Sequence, residues 1–464
     1  MKKIFAAFVI FLFFVACLFA QSEPNGESES ASVKDVVISA GDVCLVNMIF
    51  NSCARIVLEE EYSQTTLSTM KENLKSRWVW DKDGYFMNQF GHPYQGSLYY
   101  GAGRSNGLDF WQSFFIAAGG SFLWEEFGET TTPSVNDIIT TPICGAIVGE
   151  TLHRLYLDAN ELIPALAWLL SPADGLNSAI KNKRTYVSGR TEEIDFIFHG
   201  GMDHSFSEVS DSLDSEHKKK SAGGCEFHIQ YGVQDAHTSK EPFDLFTADL
   251  DLTVSSKRYY NIDFLIDGFL YSQGLYFENS EGTLGVNLMY DGKKTKGMAF
   301  SNAAVGVKYI GTKKTSDFDG IFRFSAQIDG IFMGTRSLYP VMNNVKVNFS
   351  GPDKLNPPRY YDFTYGILAK AGFLLGNSFF GTLYGDVESS FVFPYHSSEL
   401  EEAEGEKHFL IQTKLGYEHK IAKHFTLGLR DSFIYKVDCL KNGIDSTQKF
   451  NTTQIYVKIV FARD

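Results

Sequence analysis

His92, Arg104, Glu125, Glu126, Glu129, Asn136, Asp137, Glu150, His153 and Arg154 crowd one stretch of the chain. Their types suit acid–base chemistry. His92 would be a general base, a glutamate from 125–129 would orient it, and Arg104 or Asn136 would hold an anionic group. The candidate catalytic set is His92, Arg104, Glu125, Glu129, Asn136, Asp137 and Glu150. The same residues also describe a buried network that fixes the order of helices, because buried charges must be paired. Glu150 and Arg154 are four apart and can pair on one helix face. Gly145, Gly149 and His153 line one stripe, and Ser113, Ala117, Ser121 and Gly128 a second; small stripes let helix backbones approach closely.

Sharper motifs mostly fail. "GAGRSNG" (101–107) has G-x-G-x-x-x-G spacing with no apolar strand before it, so it is no dinucleotide loop. "DKDG" (81–84) resembles part of a calcium loop but lacks the third acidic ligand and the closing glutamate, and reads as a turn. "ETLH" (150–153) is a single Glu-x-x-His, whereas a di-iron bundle needs two and further glutamates. There is no G-x-S-x-G and no H-E-x-x-H. No cofactor and no metal is expected.

The elements that must position these groups are helical. Apolar residues at helical spacing mark 36–58, 107–127 and 133–157, with a polar amphipathic segment at 63–76 and a shorter helix at 159–172. Ser63 is the expected N-cap of the second, and Pro133-Ser134 the expected start of the fourth. Pro142 should bend that helix.

Beyond about residue 184 the period changes to two. In "FTADLDLTV" (246–254) Phe246, Ala248, Leu250, Leu252 and Val254 point one way, with Thr247, Asp249, Asp251 and Thr253 opposite. "FRFSAQIDG" (322–330) and "HFLIQTKLGYE" (408–418) alternate likewise. About twelve such strands follow one another, and two architectures fit: a soluble sandwich or an outer-membrane barrel. Strand length, a charged second face, and aromatics at strand ends (Tyr259-Tyr260, Tyr276-Phe277, Tyr360-Tyr361, Phe391-Phe393) favour the barrel. So does the alternation of long odd connections (205–223, 335–358, 394–405, 438–448) with short even ones. Phe461 near the end of the last strand resembles the aromatic-terminated final strand of such barrels. Asp249, Asp251, Arg323, Asp329, Lys414 and Arg430 are expected to line the lumen, which would pass ions or small solutes or be filled by paired charges.

The N-terminus supplies a route to the outer membrane. Lys2 and Lys3 precede an apolar run to about Ala20, the pattern of a secretory signal peptide cut after Ala20. A retained anchor and a lipobox at Cys17 are the alternatives. Residues 21–34 suit a flexible N-terminus. The five later cysteines, Cys44, Cys53, Cys144, Cys225 and Cys439, are scattered and form no disulfide framework or CxxC pair. Loss of Lys2 and Lys3 takes the net charge from −14 to −16, which argues against a nucleic-acid partner. After the signal there is no run of eighteen apolar residues, so a polytopic helical membrane protein is not expected.

Residues 80–150 resemble a known family, the bacterial domain of unknown function numbered 3943. The resemblance rests on Asn88, His92-Pro93-Tyr94, Gly96, Tyr100, Arg104, Gly107, Ser121, Trp124-Glu125, Glu129, Pro133-Ser134, Asn136-Asp137, Thr141-Pro142 and Gly149-Glu150. Gly101-Ala102-Gly103 departs from a pattern that often carries Ala there. The resemblance implies a cell-envelope protein of a double-membraned bacterium and no particular activity.

The expected fold is α+β. A signal peptide (1–20) and a flexible N-terminus (21–34) precede an α-helical module (35–183) and an antiparallel transmembrane β-barrel of about twelve strands (184–464). The expected role is an envelope channel or scaffold, with a periplasmic or membrane-apposed helical module. Its expected partners are outer-membrane lipid and the barrel-assembly machinery. The runner-up is a lipid-modifying hydrolase using His92 and the nearby glutamates.

Overall fold

A computed structural model describes residues 31–181, 190–209, 216–256, 260–295, 297–315, 320–338, 359–397, 404–443 and 445–462. The signal peptide, the Cys17 lipobox, most of 21–34, Tyr259 and most of 335–358 lie outside the described residues. The chain divides into two compact units at Gly189/Arg190.

The first unit is helical. Helix α1 (Val33–Ser52) runs on into a π-helical turn, Cys53–Val57. Then come α2 (Leu67–Asn73), a π turn at Met87–Gly91 leading into α3 (His92–Ser105), and α4 (Phe110–Leu123) with its own π turn, Trp124–Gly128. Helices α5 (Asp137–Leu162), α6 (Pro164–Leu170) and α7 (Pro172–Ile180) complete it. Capping boxes start α1 (Ser32 with Asp35) and α4 (Asp109 with Gln112), each satisfying orphan backbone N–H groups.

Several expected boundaries are corrected. Helix α2 is capped by Thr66, not Ser63, because the Thr66 hydroxyl accepts from Thr69 N. Ser63 sits buried in a short 3-10 turn instead. Helix α5 starts at Asp137, not at Pro133-Ser134, because the backbone there is taken by a bridge to Val79, with Val79 N donating to Pro133 O and Val135 N to Val79 O. The segment 159–172 is not one helix; Pro164 and Pro172 each open a new one.

The largest correction is α3. Its glycines lower helix propensity, and 92–105 is not among the helices that apolar spacing marks, though its glycines suit close approach. Packing overrides that preference. A Cβ on Gly96 would lie 1.9 Å from Thr141 O, and one on Gly145 would lie 2.5 Å from Gly96 C. The two glycines therefore bring α3 and α5 into backbone contact. Gly103 makes a similar approach to Ser113 on α4.

Helix α1 is apolar on both faces, burying Val36 and Val43, with polar residues added on the inner one. Its inner face carries Ser39, Asp42, Val43, Asn47 and Asn51. Asn47 Nδ2 donates to Gly120 O, Asn51 Nδ2 donates to Gly128 O, and Asp42 Oδ2 accepts from Asn106 and Asn177. Its outer face exposes Val37, Met48, Ile49 and Ile56. Val33–Val57 is long and apolar enough to cross a membrane by length and composition.

The second unit is a closed barrel of twelve antiparallel strands, each paired with its sequence neighbours and β1 with β12. The strands are β1 (Thr191–Val209), β2 (Glu216–Tyr231), β3 (Phe246–Ser255), β4 (Tyr260–Phe277), β5 (Ser280–Lys294), β6 (Ala299–Thr315), β7 (Gly320–Ser337), β8 (Tyr361–Asn377), β9 (Gly381–His396), β10 (Gly405–Ala422), β11 (Phe425–Leu440) and β12 (Asp445–Ala462). Closure rules out the sandwich. Leu250, Leu252, Phe322, Phe324, Ile328, Ile367, Leu427, Leu429 and Ile455 are exposed on the outside. Their strand neighbours face in.

The connections differ from expectation. Much of 205–223 and 438–448 is strand, since β1 and β2 extend to Val209 and from Glu216, and β11 and β12 to Leu440 and from Asp445. A long connection, 232–245, falls on the even side, where short turns were expected. It is held to the sheet: Ser239 N donates to Ser272 O, and the Phe243 ring covers Gly268, where a Cβ would meet it at 2.5 Å. Tyr360-Tyr361 is not an exposed girdle; Tyr361 is fully buried, with the Arg359 guanidinium over its ring.

Candidate functional site

The candidate catalytic residues do not converge on one centre. They form two clusters, one near each end of α3.

The first gathers around His92, the first residue of α3. The 80–84 segment, read as a turn, approaches it. Asp81 N donates to Asn136 Oδ1 (3.0 Å), and Ser134 Oγ donates to the same oxygen (2.9 Å). Asn136 Nδ2 donates to Asp137 Oδ1 (2.9 Å), and Asn88 Nδ2 donates to Asp81 Oδ1 (3.0 Å). Asn136 thus ties the Asp81 backbone to the Asp137 carboxyl. His92 Nε2 lies 3.5 Å from Asp137 Oδ1 and 3.9 Å from Asp83 Oδ2. The π turn after α4 aims two glutamates inward: Glu125 Oε2 accepts from Ser134 N (2.7 Å), and Glu129 Oε1 accepts from Trp124 Nε1 (2.5 Å). Glu126 instead accepts from Trp78 Nε1.

This cluster holds far more acid than base. Burial raises the Asp81 and Glu125 carboxyls well above the usual carboxylate range, and neighbouring acids raise them further: Asp137 and Asp83 for Asp81, Glu129 and Asp137 for Glu125. Burial also raises Asp137, against the opposing pull of His92. For His92, burial acts to lower the pKa, but Asp137, Asp83 and Glu125 outweigh it and hold the imidazole well above its usual value. The surrounding acids therefore favour the proton-donating form of the His92 imidazole over the free base that general-base chemistry needs.

The second cluster lies near the other end of α3. Glu150, fully buried, pairs with Arg104 Nε at 2.8 Å and Arg154 Nε at 2.7 Å and accepts from the Tyr100 hydroxyl at 2.7 Å. Arg104 also donates to Leu108 O. Burial acts to raise the Glu150 carboxyl, but Arg104, Arg154 and His153 overcome it and bring it down to about 2. Each charge here has a partner. His153 pairs separately with Asp174 at 2.9 Å, and Ser171 Oγ donates to Asp174.

Asp81 and Asp83 were missed as site residues because the broken calcium-loop pattern dismissed them. The available signal was their closeness in sequence to Asn88 and His92.

The strand unit encloses a cavity of about 420 Å³ lined by Asp249, Asp251, Glu226, Lys370, Lys414 and Arg430 among others. Arg430 pairs with Glu226 and lies 3.7 Å from Asp251; His228 pairs with Asp249 at 2.6 Å. Lys414 stands opposite Asp386 in register. Asp329 accepts from Gln327, and Arg323 reaches Asp235 of the 232–245 segment at 3.4 Å. On the inner wall towards the even connections, the Tyr384 and Tyr456 hydroxyls meet at 3.0 Å. Their rings occupy the space left by Gly416 and Gly428.

Residues 77–163 match the family model described as Domain of unknown function (DUF3943). No curated protein matches the chain. Among solved structures, the COG4313 outer membrane channel from Pseudomonas putida F1 is similar at 7% identity, covering 59% of this chain and 97% of that one, with a TM-score of 0.30. A Pseudomonas aeruginosa FadL homologue is similar at 7% identity over 59% of this chain and 90% of that one, TM-score 0.24. The KdgM porin aligns at 7% identity over 55% and 97%, TM-score 0.22.

Proposed function

We propose that this chain is an outer-membrane barrel protein of a double-membraned bacterium, exported by its N-terminal signal. In this reading the barrel is a scaffold or a narrow polar passage, and the helical unit lies against a lipid surface. One observation carries the reading: a closed barrel with exposed aliphatic and aromatic side chains outside and ionised groups inside. Water cannot favour that outer surface, but a bilayer does. Helix α1 supports the lipid-apposed position of the helical unit, since Met48, Ile49 and Ile56 face outward while Asn47 and Asn51 face the bundle.

Outer-membrane lipid and the barrel-assembly machinery are the partners this reading requires. Ion pairs inside the barrel, such as Arg430–Glu226, favour a lumen that passes only small polar solutes. A twelve-strand barrel is also narrower than the sixteen- to eighteen-stranded porins with open channels. The test is fractionation with heat-modifiable gel migration, followed by planar-bilayer conductance. Recovery of the protein as a soluble periplasmic species would sink the reading.

A second reading is a lipid-modifying hydrolase in which the His92 cluster acts as the acid. The acid-rich composition of that cluster, in a unit with exposed apolar helices, favours it. His92→Ala would then abolish a change in lipid profile while the barrel still assembles.

A further inference from the structure

Asp81, His92 and Asp137 each offer one ligand atom, and the three atoms lie within 4.8 Å of one another. Two of these residues are buried, and the third, Asp81, turns a carboxylate oxygen inward. That oxygen, Asp81 Oδ2, is fully enclosed with no protein N–H or O–H donor on it, the Asp81 carboxyl facing that of Asp137, while Oδ1 is held by Asn88. An enclosed pair of facing carboxyls costs free energy unless a proton or a cation lies between them. The other acids nearby are already engaged: Glu125 by Ser134 N, and Glu129 by Trp124 and Thr131. Asn136 and Asn88 hold Asp137 and Asp81 in place, as outer-shell donors hold metal ligands. The π turn Met87–Gly91 runs directly into His92, and such turns concentrate at functional sites.

We propose that Asp81, His92 and Asp137 bind one divalent transition-metal ion, zinc by donor type. One imidazole and two carboxylates suit zinc better than calcium or magnesium, which take oxygen donors. Zinc ligands at about 2.1 Å in a tetrahedral site stand roughly 3.4 Å apart, and His92 Nε2 and Asp137 Oδ1 already lie at 3.5 Å. On binding, any proton carried by the His92 ring nitrogen or by the two carboxyls leaves to solvent as that atom takes the ion in its place. Asp83, whose side chain is 54% exposed, marks the solvent side of His92. Three protein ligands leave a fourth position for water, the arrangement of catalytic rather than structural zinc.

The experiment uses the full chain extracted in detergent, stripped with a chelator, reloaded with zinc chloride, and assayed for bound zinc by mass spectrometry. Wild type should hold about one zinc per chain and melt at a higher temperature when loaded. Asp81→Asn and His92→Gln should each weaken zinc binding by more than about tenfold and lose the zinc-dependent rise in melting temperature. Asp81→Asn removes one acid from an acid-rich cluster. Its stripped form should therefore melt at or above stripped wild type, which separates ligand loss from misfolding. A wild type that takes up no zinc overturns the proposal, and so do variants that retain it; retention would place the ion elsewhere, for example at His408 between Asp362 and Asp438. Heat-modifiable migration of the same samples reports on the barrel reading separately.

Discussion

Helix α3 carries a buried ionisable cluster near each end, and the two are composed oppositely. Around Glu150, one carboxylate meets two guanidinium groups and a phenol, and its pKa falls. Around His92, one imidazole meets several acids whose pKa values rise. Both sets contain carboxylates, but their cationic partners and the ratio of acid to base differ. The balanced set holds helices α3 and α5 together from within. The acid-rich set is costly unless protons or a cation neutralise it, so stability does not explain it. That contrast is why the proposed metal site is placed at the His92 end of α3 and not at the Glu150 end.

The two clusters should respond differently to substitution. Glu150→Ala should cost about 3–5 kcal/mol, because it removes the buried carboxylate that Arg104 and Arg154 share. Denaturant melts of the helical unit's near-UV signal in the full chain measure this. A loss below about 1 kcal/mol would mean the pairs are not what joins the helices.

Acid titration should show the same asymmetry. The Glu150 carboxyl sits at about 2 when folded against an ordinary value of 4.5. Its contribution is present above pH 4.5 and lost as pH falls towards 2, an effect of roughly 3 kcal/mol. The His92-side acids have the opposite sign. Their folded pKa values are raised, so their contribution is greatest below pH 4 and is lost as pH rises through the folded values. Stability measured from pH 2 to 7 should lose its acid limb in Glu150→Ala and keep it in Asp81→Asn.

Packing between the clusters can be tested at Gly96. Gly96→Ala should cost about 1–3 kcal/mol, since the new Cβ must displace Thr141 O. If it is neutral, α3 and α5 are not in backbone contact. The smallest effect is expected in the barrel. Tyr384→Ala, which removes one side of the hydroxyl contact with Tyr456, should raise single-channel conductance modestly without altering heat-modifiable migration. Unchanged conductance would place the narrowest point of the lumen elsewhere.

The barrel was the more legible unit. Alternation is local, because successive side chains on a strand face opposite ways. Asp249, Asp251, Arg323 and Lys414 could therefore be assigned to the charged face from "FTADLDLTV", "FRFSAQIDG" and "HFLIQTKLGYE" alone. Loop lengths were less legible: 205–223 and 438–448 are polar yet mostly strand, since both faces of a strand that extends past the bilayer can be wetted. In the helical unit, propensity misled at α3, where the glycines that weaken a lone helix are the ones that let Gly96 meet Gly145.

The amino-acid order by itself determined the two-part plan, the period-two half with its apolar and charged faces, and the list of polar residues available for chemistry. These follow from side-chain spacing within single elements. Only the tertiary structure decided that this list splits in two, that Arg104 belongs with Glu150, and that Asp81 belongs with His92 and Asp137. Those groupings join a loop, a π turn and two helices distant in sequence, and no periodicity within one element encodes a contact between several.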